Sequence, residues 1–313
     1  MGALRFIARH GRWSLIAGLV AGLCLPGLAH WVKPWLPEMI AALLFVAAFR
    51  IGPRAALGNL RDLRGTLRVA LIYQLALPLI ALALAALLGL LNSPAMLAVI
   101  LVLSSPSVTG SPNFTILMGQ DPSAAMRLLL LGTALFPFTA LPVLLFFPPF
   151  GSPAAVLLSS LKLMAVVFGA VGTAFALRHL AGDRVTPERQ QAFDGAAAIL
   201  LAVMVVGLMS VAGPVLTTDP ARFARWLGFA LMLNFGLQLL AWRFLRGIPA
   251  RDLPGISVVA GNRNIALFLV ALPDSTIDQL LLFIGCYQIP MYLTPTLMKF
   301  LHDRPKGRAS AAP

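Results

Sequence analysis

Two stretches decide how this chain is read: "AVILVLSSPSVTGSPNFTILMG", Ala98 to Gly119, and "ISVVAGNRNIALFLV", Ile256 to Val270. Each is apolar enough to sit in lipid, and each is interrupted near its middle. In the first, Pro106, Gly110 and Pro112 break the helical pattern, with Ser and Thr hydroxyls clustered between them. In the second, Gly261 precedes an arginine, Arg263, held between two asparagines. Pro and Gly leave backbone groups unpaired, which hydrocarbon tolerates only where protein or a water-lined cavity satisfies them. A proline kink whose hydroxyls bond back onto their own helix explains the first stretch taken alone. Two such interruptions at matching places in the chain point instead to a binding site.

The surrounding composition says what kind of chain carries these breaks. Hydrophobic residues make up 59% of it and charged residues 11%, outside the proportions of soluble domains. The 313 residues hold about ten apolar runs, each near the roughly 20 residues that cross a hydrocarbon core. We place them at 13–31, 37–50, 69–91, 95–119, 128–147, 153–178, 193–216, 225–245, 256–272 and 279–300. The expectation is an all-α polytopic membrane protein with one transporter-like domain over 1–313. The two breaks fall in spans four and nine, the fourth members of two five-span halves, 1–147 and 153–301, with a tail at 302–313. Five is odd, so the halves run oppositely across the bilayer, the inverted-repeat plan in which paired broken helices mark a midplane site.

A net charge of +13 raises the question of nucleic acid, and the placement of the charge answers it. Basic residues collect at the N-terminus, from Arg50 to Arg68, at Arg127, from Arg178 to Arg189, from Arg243 to Arg251 and near the C-terminus. The opposite loops hold Lys33, Arg222 and Arg225. This is the positive-inside asymmetry, from which a cell membrane, with a bacterial inner membrane the expected one, and cytoplasmic termini are expected. The bilayer, not nucleic acid, is the expected partner. Trp31 and Trp35 suit an interface, and Pro34 and Pro37 suggest an oblique entry into span two. Arg5, Arg9 and Arg12 before an apolar stretch also fit a cleaved signal peptide; a retained helix keeps the charge parity of the loops. Cys24 and Cys286 fall inside spans, with neither a disulfide framework nor zinc spacing.

At the breaks the chain resembles the bile acid:sodium symporter family. That family carries a Pro-Gly-Gly-Thr-Ala-Ser-Asn type break in span four and a Glu-x-Gly-x-Gln-Asn type break in span nine; the matching stretches here are "PSVTGSPN", Pro106 to Asn113, and "VAGNRN", Val259 to Asn264. "YQLALPLIA" is similar to the family's glutamine-containing segment of span three. The resemblance implies a core of spans three to five and eight to ten, a panel of spans one, two, six and seven, and alternating access with substrate in the crevice between them. It implies ion-site equivalents at Gln74, Ser111, Asn113, Val259 and Arg263. It also implies substrate contacts at Thr109, Ser111, Asn113, Arg263 and Asn264, with Tyr287 and Gln288 in span ten where the family has a His-Asn pair.

The departures from that pattern carry the chemistry. Val259 stands at the family's glutamate, Arg263 at its glutamine, and Ala125 and Leu129 at its span-five oxygens. Sodium wants oxygen ligands and is helped by a nearby anion, whereas this midplane offers a guanidinium. We therefore expect no cofactor, and sodium is disfavoured. One glutamate with two sodium ions would leave about +1 at the crossing, and a fixed arginine without the glutamate restores that charge. Its five donors suit the freed carbonyls of broken helices, or the substrate itself. Lys162 is the other deep cation, nearer a span end. The expected function is secondary transport of a small organic anion, with a sodium-coupled symporter or a non-transporting anion sensor as alternatives. No enzyme is expected, because His10, His30, His179 and His302 all lie away from span centres and no carboxylate pair faces a pocket.

Overall fold

The structure is a computed structural model that describes residues 2–9, 11–58, 63–147, 152–182, 186–245, 248–270, 272 and 274–302. The expected tail beyond His302 lies outside the described residues. Every regular element among them is helical. A short amphipathic helix α1 (Gly2–Arg9) leads into α2 (Gly11–Cys24). Next come α3 (Pro26–Val32), a tight turn at Lys33–Trp35, and α4 (Leu36–Gly58), which kinks at Gly52 with φ 73° ahead of Pro53. In α5 (Leu63–Leu71) and α6 (Leu77–Leu87) one helix passes through a π-turn at Ile72–Ala76.

The first break separates α7 (Pro94–Ser104) from α8 (Ser111–Leu117), and three longer helices follow: α9 (Ser123–Leu145), α10 (Pro153–Ala181) and α11 (Pro187–Leu208). A short α12 (Ala212–Thr218) precedes α13 (Pro220–Phe244) and α14 (Leu253–Gly261). The second break leads to a 3-10 segment, Ile265–Val270, then α15 (Asp274–Leu297) and α16 (Lys299–His302).

Among the described residues, seven helical stretches are long and apolar enough to cross a membrane: Pro26–Pro53, Leu63–Leu87, Ser123–Leu145, Pro153–Ala181, Glu188–Leu208, Pro220–Phe244 and Leu280–Leu297. The chain is therefore a multi-pass membrane protein. Trp13–Cys24 and Pro94–Ser104 are apolar but shorter. Much of the apolar side-chain surface points outward, as at Leu87, Leu180 and Met232, which is what a lipid-facing surface requires.

The start of the chain differs from expectation. The span expected at 13–31 ends at Cys24, because Leu25 (φ −120°, ψ 71°) leaves helical geometry and Pro26 opens the next helix. The turn between the first two spans is thus at Leu25. Pro34 sits at the start of a 3-10 turn that helical dihedrals enter and leave, and the apolar stretch starts at Pro26 instead of residue 37. Contacts with α11 give the directions. A Cβ on Gly18 would meet Ala202 and one on Gly22 would meet Met209, whereas Leu36 lies against Gly207 and Arg50 pairs with Asp194. Hence α2 runs with α11 and α4 against it.

One large apolar core joins the molecule. It takes Leu36, Ile40 and Leu44 from α4, Phe136 and Val143 from α9 with Phe147 just beyond its end, Val156 and Leu163 from α10, the segment Ile265–Val270, and Leu280 to Ile284 of α15. Phe136 meets Phe268 edge-on, with ring centroids 5.0 Å apart, a favoured aromatic geometry.

Candidate functional site

The two interruptions meet. Helical geometry stops at Ser105 (ψ 150°) after α7 and at Asn262 (φ −100°, ψ 84°) after α14. The freed backbone then pairs across the gap, with Ser107 and Arg263 forming an isolated antiparallel bridge. The Val108 amide donates to the Asn262 carbonyl at 3.0 Å and the Asn264 amide to the Pro106 carbonyl at 2.9 Å. The Pro106 and Asn262 carbonyls and the Val108 and Asn264 amides are thereby satisfied by the opposite break, as burial in lipid demands.

Arg263 sits at the centre of this crossing and is only 2% exposed. Its Nε donates to the Ala260 carbonyl and its Nη1 to the Ser105 carbonyl, both at 3.0 Å. Those carbonyls belong to the last turn of α14 and the residue that closes α7. One side chain therefore caps both half-helices at their negative ends. A full positive charge thus faces about half a negative charge at each helix C-terminus. The guanidinium carbon also lies 4.7 Å from the Tyr73 ring centroid, a cation–π contact strengthened by desolvation. Tyr73 donates its hydroxyl to the Ile256 carbonyl at 3.4 Å.

A second buried polar network closes the other flank. The Gly261 carbonyl accepts hydrogen bonds from Asn234 Nδ2 and from the Tyr287 hydroxyl. Gln238 Nε2 donates to Asn234 Oδ1 at 2.7 Å and to Thr294 Oγ1 at 3.1 Å. The Thr294 hydroxyl lies 3.2 Å from Asn262 Oδ1. Sequence reasoning missed Asn234, Gln238, Thr294 and Tyr73. The signal was present: an Asn and a Gln four residues apart put two amides on one face of an otherwise apolar helix, α13.

The other expected residues are distributed as follows. Gln74 lies in the π-turn, 2% exposed, and its Oε1 accepts from Thr139 at 3.3 Å. Ser111 is fully buried and its hydroxyl has no hydrogen-bond partner. Val259 packs with Tyr73 and Ala125 in an apolar cluster. Tyr287 is buried on the Gly261 carbonyl, and Gln288 donates to the Ile284 carbonyl of its own helix at 3.2 Å. Asn264 is half-buried beside the bridge, while Asn113 is exposed on α8, on the opposite footing from buried Ser111. Lys162 is exposed on α10.

Next to the crossing lies a cavity of about 310 Å³ between α4, α9 and α10. Its walls are apolar, with Leu44, Ile51, Leu130, Phe168 and Phe175 among them, and Thr109 and Thr133 contribute the hydroxyls. Thr109 is thus the expected substrate residue that reaches this space; Arg263 is not part of its wall. Comparison of the chain with protein-family models and with curated proteins gives no match in either case.

Proposed function

We propose that the chain is a secondary carrier for a small organic anion, working by alternating access, with Arg263 as a built-in cation where related carriers would use sodium. The observation that carries this reading is the guanidinium bonded at 3.0 Å to the closing carbonyls of two broken helices. Structural breaks of this kind mark the substrate and ion sites of secondary transporters. The resemblance to the bile acid:sodium symporter family supports the same reading. So does the two-fold character of the Ser107–Arg263 bridge, which is what two inverted five-span halves would place at their common axis. The polar pairs flanking it are also alike, Gln74 with Thr139 on one side and Gln238 with Thr294 on the other.

In this reading α5 to α9 and α13 to α15 form the moving core, and α2 to α4 with α10 to α12 form the panel. The substrate's apolar body occupies the cavity between them, and its anionic end lies towards Thr109 and Asn264. Arg263 acts on that end through its field, because it stands behind the cavity wall with two of its five donors on the Ala260 and Ser105 carbonyls. The test is ligand binding and vesicle uptake in sodium and in choline at equal ionic strength. Equal affinity in both salts, lost in Arg263→Gln, is expected. Binding without uptake would identify a sensor.

One observation favours a sodium-coupled reading: the buried hydroxyl of Ser111, at a position the resemblance assigns to the ion, has no partner. A large sodium-specific gain in affinity in the unmodified chain would establish that reading instead.

A further inference from the structure

The cavity and the large core share three helices, and they divide those helices by height. On α4 the cavity takes Ala47, Ala48 and Ile51, near Arg50, whereas Leu36 and Ile40 towards the other end are packed in the core. On α10 it takes Phe168, Val171 and Phe175, near Arg178, while Val156 and Leu163 are packed. On α9, which runs the opposite way to α10, it takes Leu129 to Leu131, near Arg127, while Phe136 and Val143, and Phe147 just past the helix end, are packed. Leu44 and Val167 belong to both and mark the boundary. The space between these helices is therefore open in the half bearing Arg50, Arg127 and Arg178 and sealed in the other.

An ion pair sits over the sealed half. Lys33 Nζ lies 2.7 Å from Asp278 Oδ1, with the side chains 30% and 59% exposed. Lys33 belongs to the turn that opens α4, and Asp278 to the first turns of α15. Two other pairs stay within one unit of the proposed carrier: Arg50–Asp194 joins α4 to α11, and Arg127–Asp252 joins α9 to the start of α14. Lys33–Asp278 joins panel to core.

We propose that Lys33 and Asp278 are the latch of the sealed side. The pair holds panel and core together over the plug formed by Phe136, Phe268 and Ile40, so that this conformation admits ligand from the Arg50 side alone. The inference rests on the carrier reading for the division into panel and core. An exposed pair is the right strength for such a device, because it biases an equilibrium by a few-fold without locking it.

The test is thiol labelling in oriented vesicles with a membrane-impermeant maleimide, in a background of Cys24→Ser and Cys286→Ala. Ile51→Cys should label from the Arg50 side and Ile40→Cys should be protected from both sides. Lys33→Asp should then raise labelling of Ile40→Cys from the sealed side about threefold, the bias an exposed pair supplies. Lys33→Asp with Asp278→Lys should return it to the starting rate. A labelling rate that Lys33→Asp leaves unchanged, in protein with unaltered circular dichroism and elution volume, overturns the latch. So does an Ile40→Cys that labels freely in the chain with both charges intact. Substrate uptake is measured on the same vesicles. Gated labelling without uptake keeps the latch and refutes the carrier, whereas uptake with ungated labelling does the reverse.

Discussion

Arg263 resolves a local conflict. An arginine in hydrocarbon costs roughly 3 kcal/mol or more by insertion scales, and two helix ends in hydrocarbon expose carbonyls that also need partners. Placing one at the other answers both, and the geometry is that of charge-assisted bonds at 3.0 Å to Ser105 and Ala260. Removing the cation while leaving the carbonyls should be severe. Arg263→Gln is expected to destabilise the protein by about 3 kcal/mol, as for a buried charged group stripped from its partners, measured by thermal melting in detergent. Arg263→Lys should fall between the two, since ammonium keeps the charge but cannot fork between two carbonyls. Tyr287→Phe removes one of two donors to the Gly261 carbonyl and leaves Asn234 in place. It should cost about 1 kcal/mol, and an effect as large as that of Arg263→Gln would show that the Tyr287 hydroxyl, not Arg263, holds the crossing.

Among the elements, the broken helices are distinguished by how closely they are approached. A Cβ on Gly261 would lie 2.1 Å from the backbone oxygen of Asn234, and backbone in a packed helix cannot yield. Gly261→Ala should therefore part α13 from α14 and cost about 3 kcal/mol. Gly132 makes the useful contrast: its Cβ would meet Gln74 Nε2 at 2.7 Å, the far end of a flexible side chain. Gly132→Ala should change the melting temperature little and instead move Gln74 off Thr139. If both substitutions destabilise alike, Gln74 is as rigidly held as backbone. The breaks themselves were legible from Pro106, Gly110, Pro112 and Gly261 because they cluster with polar side chains that can take up freed backbone groups; proline alone does not end a helix here, since Pro137 and Pro142 lie inside α9. The turn at Leu25 was not legible. Pro34 and Pro37 are the stronger local breakers, and only packing of α2 and α4 on opposite senses of α11 shows that the chain has already turned at Pro26.

For the whole molecule, a cavity with hydroxyls from Thr109 and Thr133 alone on apolar walls is suited to a ligand with a sizeable apolar part. Ala134→Trp fills that space from α9 and should abolish uptake while leaving the crossing, and hence melting, nearly unchanged; undiminished uptake would place the substrate elsewhere. A carrier that needs no sodium should transport equally in sodium and choline, and vesicle uptake in the two salts measures this directly.

The amino-acid sequence by itself determined that the chain is a helical, multi-pass membrane protein, because 59% hydrophobic residues in long runs leave no other way to shield backbone and side chains. It also determined where two apolar helices must break and that a fixed cation lies in one of the breaks. Composition and backbone chemistry act locally, so they can be read one residue at a time. Only the tertiary structure decided what Arg263 bonds, since its acceptor on Ser105 is 158 residues away in sequence. The same holds for the network of Asn234, Gln238 and Thr294, which draws its side chains from α13 and α15 and meets the Gly261 carbonyl of α14. Which buried side chain faces which carbonyl depends on the relative rotation and height of packed helices, and no local pattern encodes that.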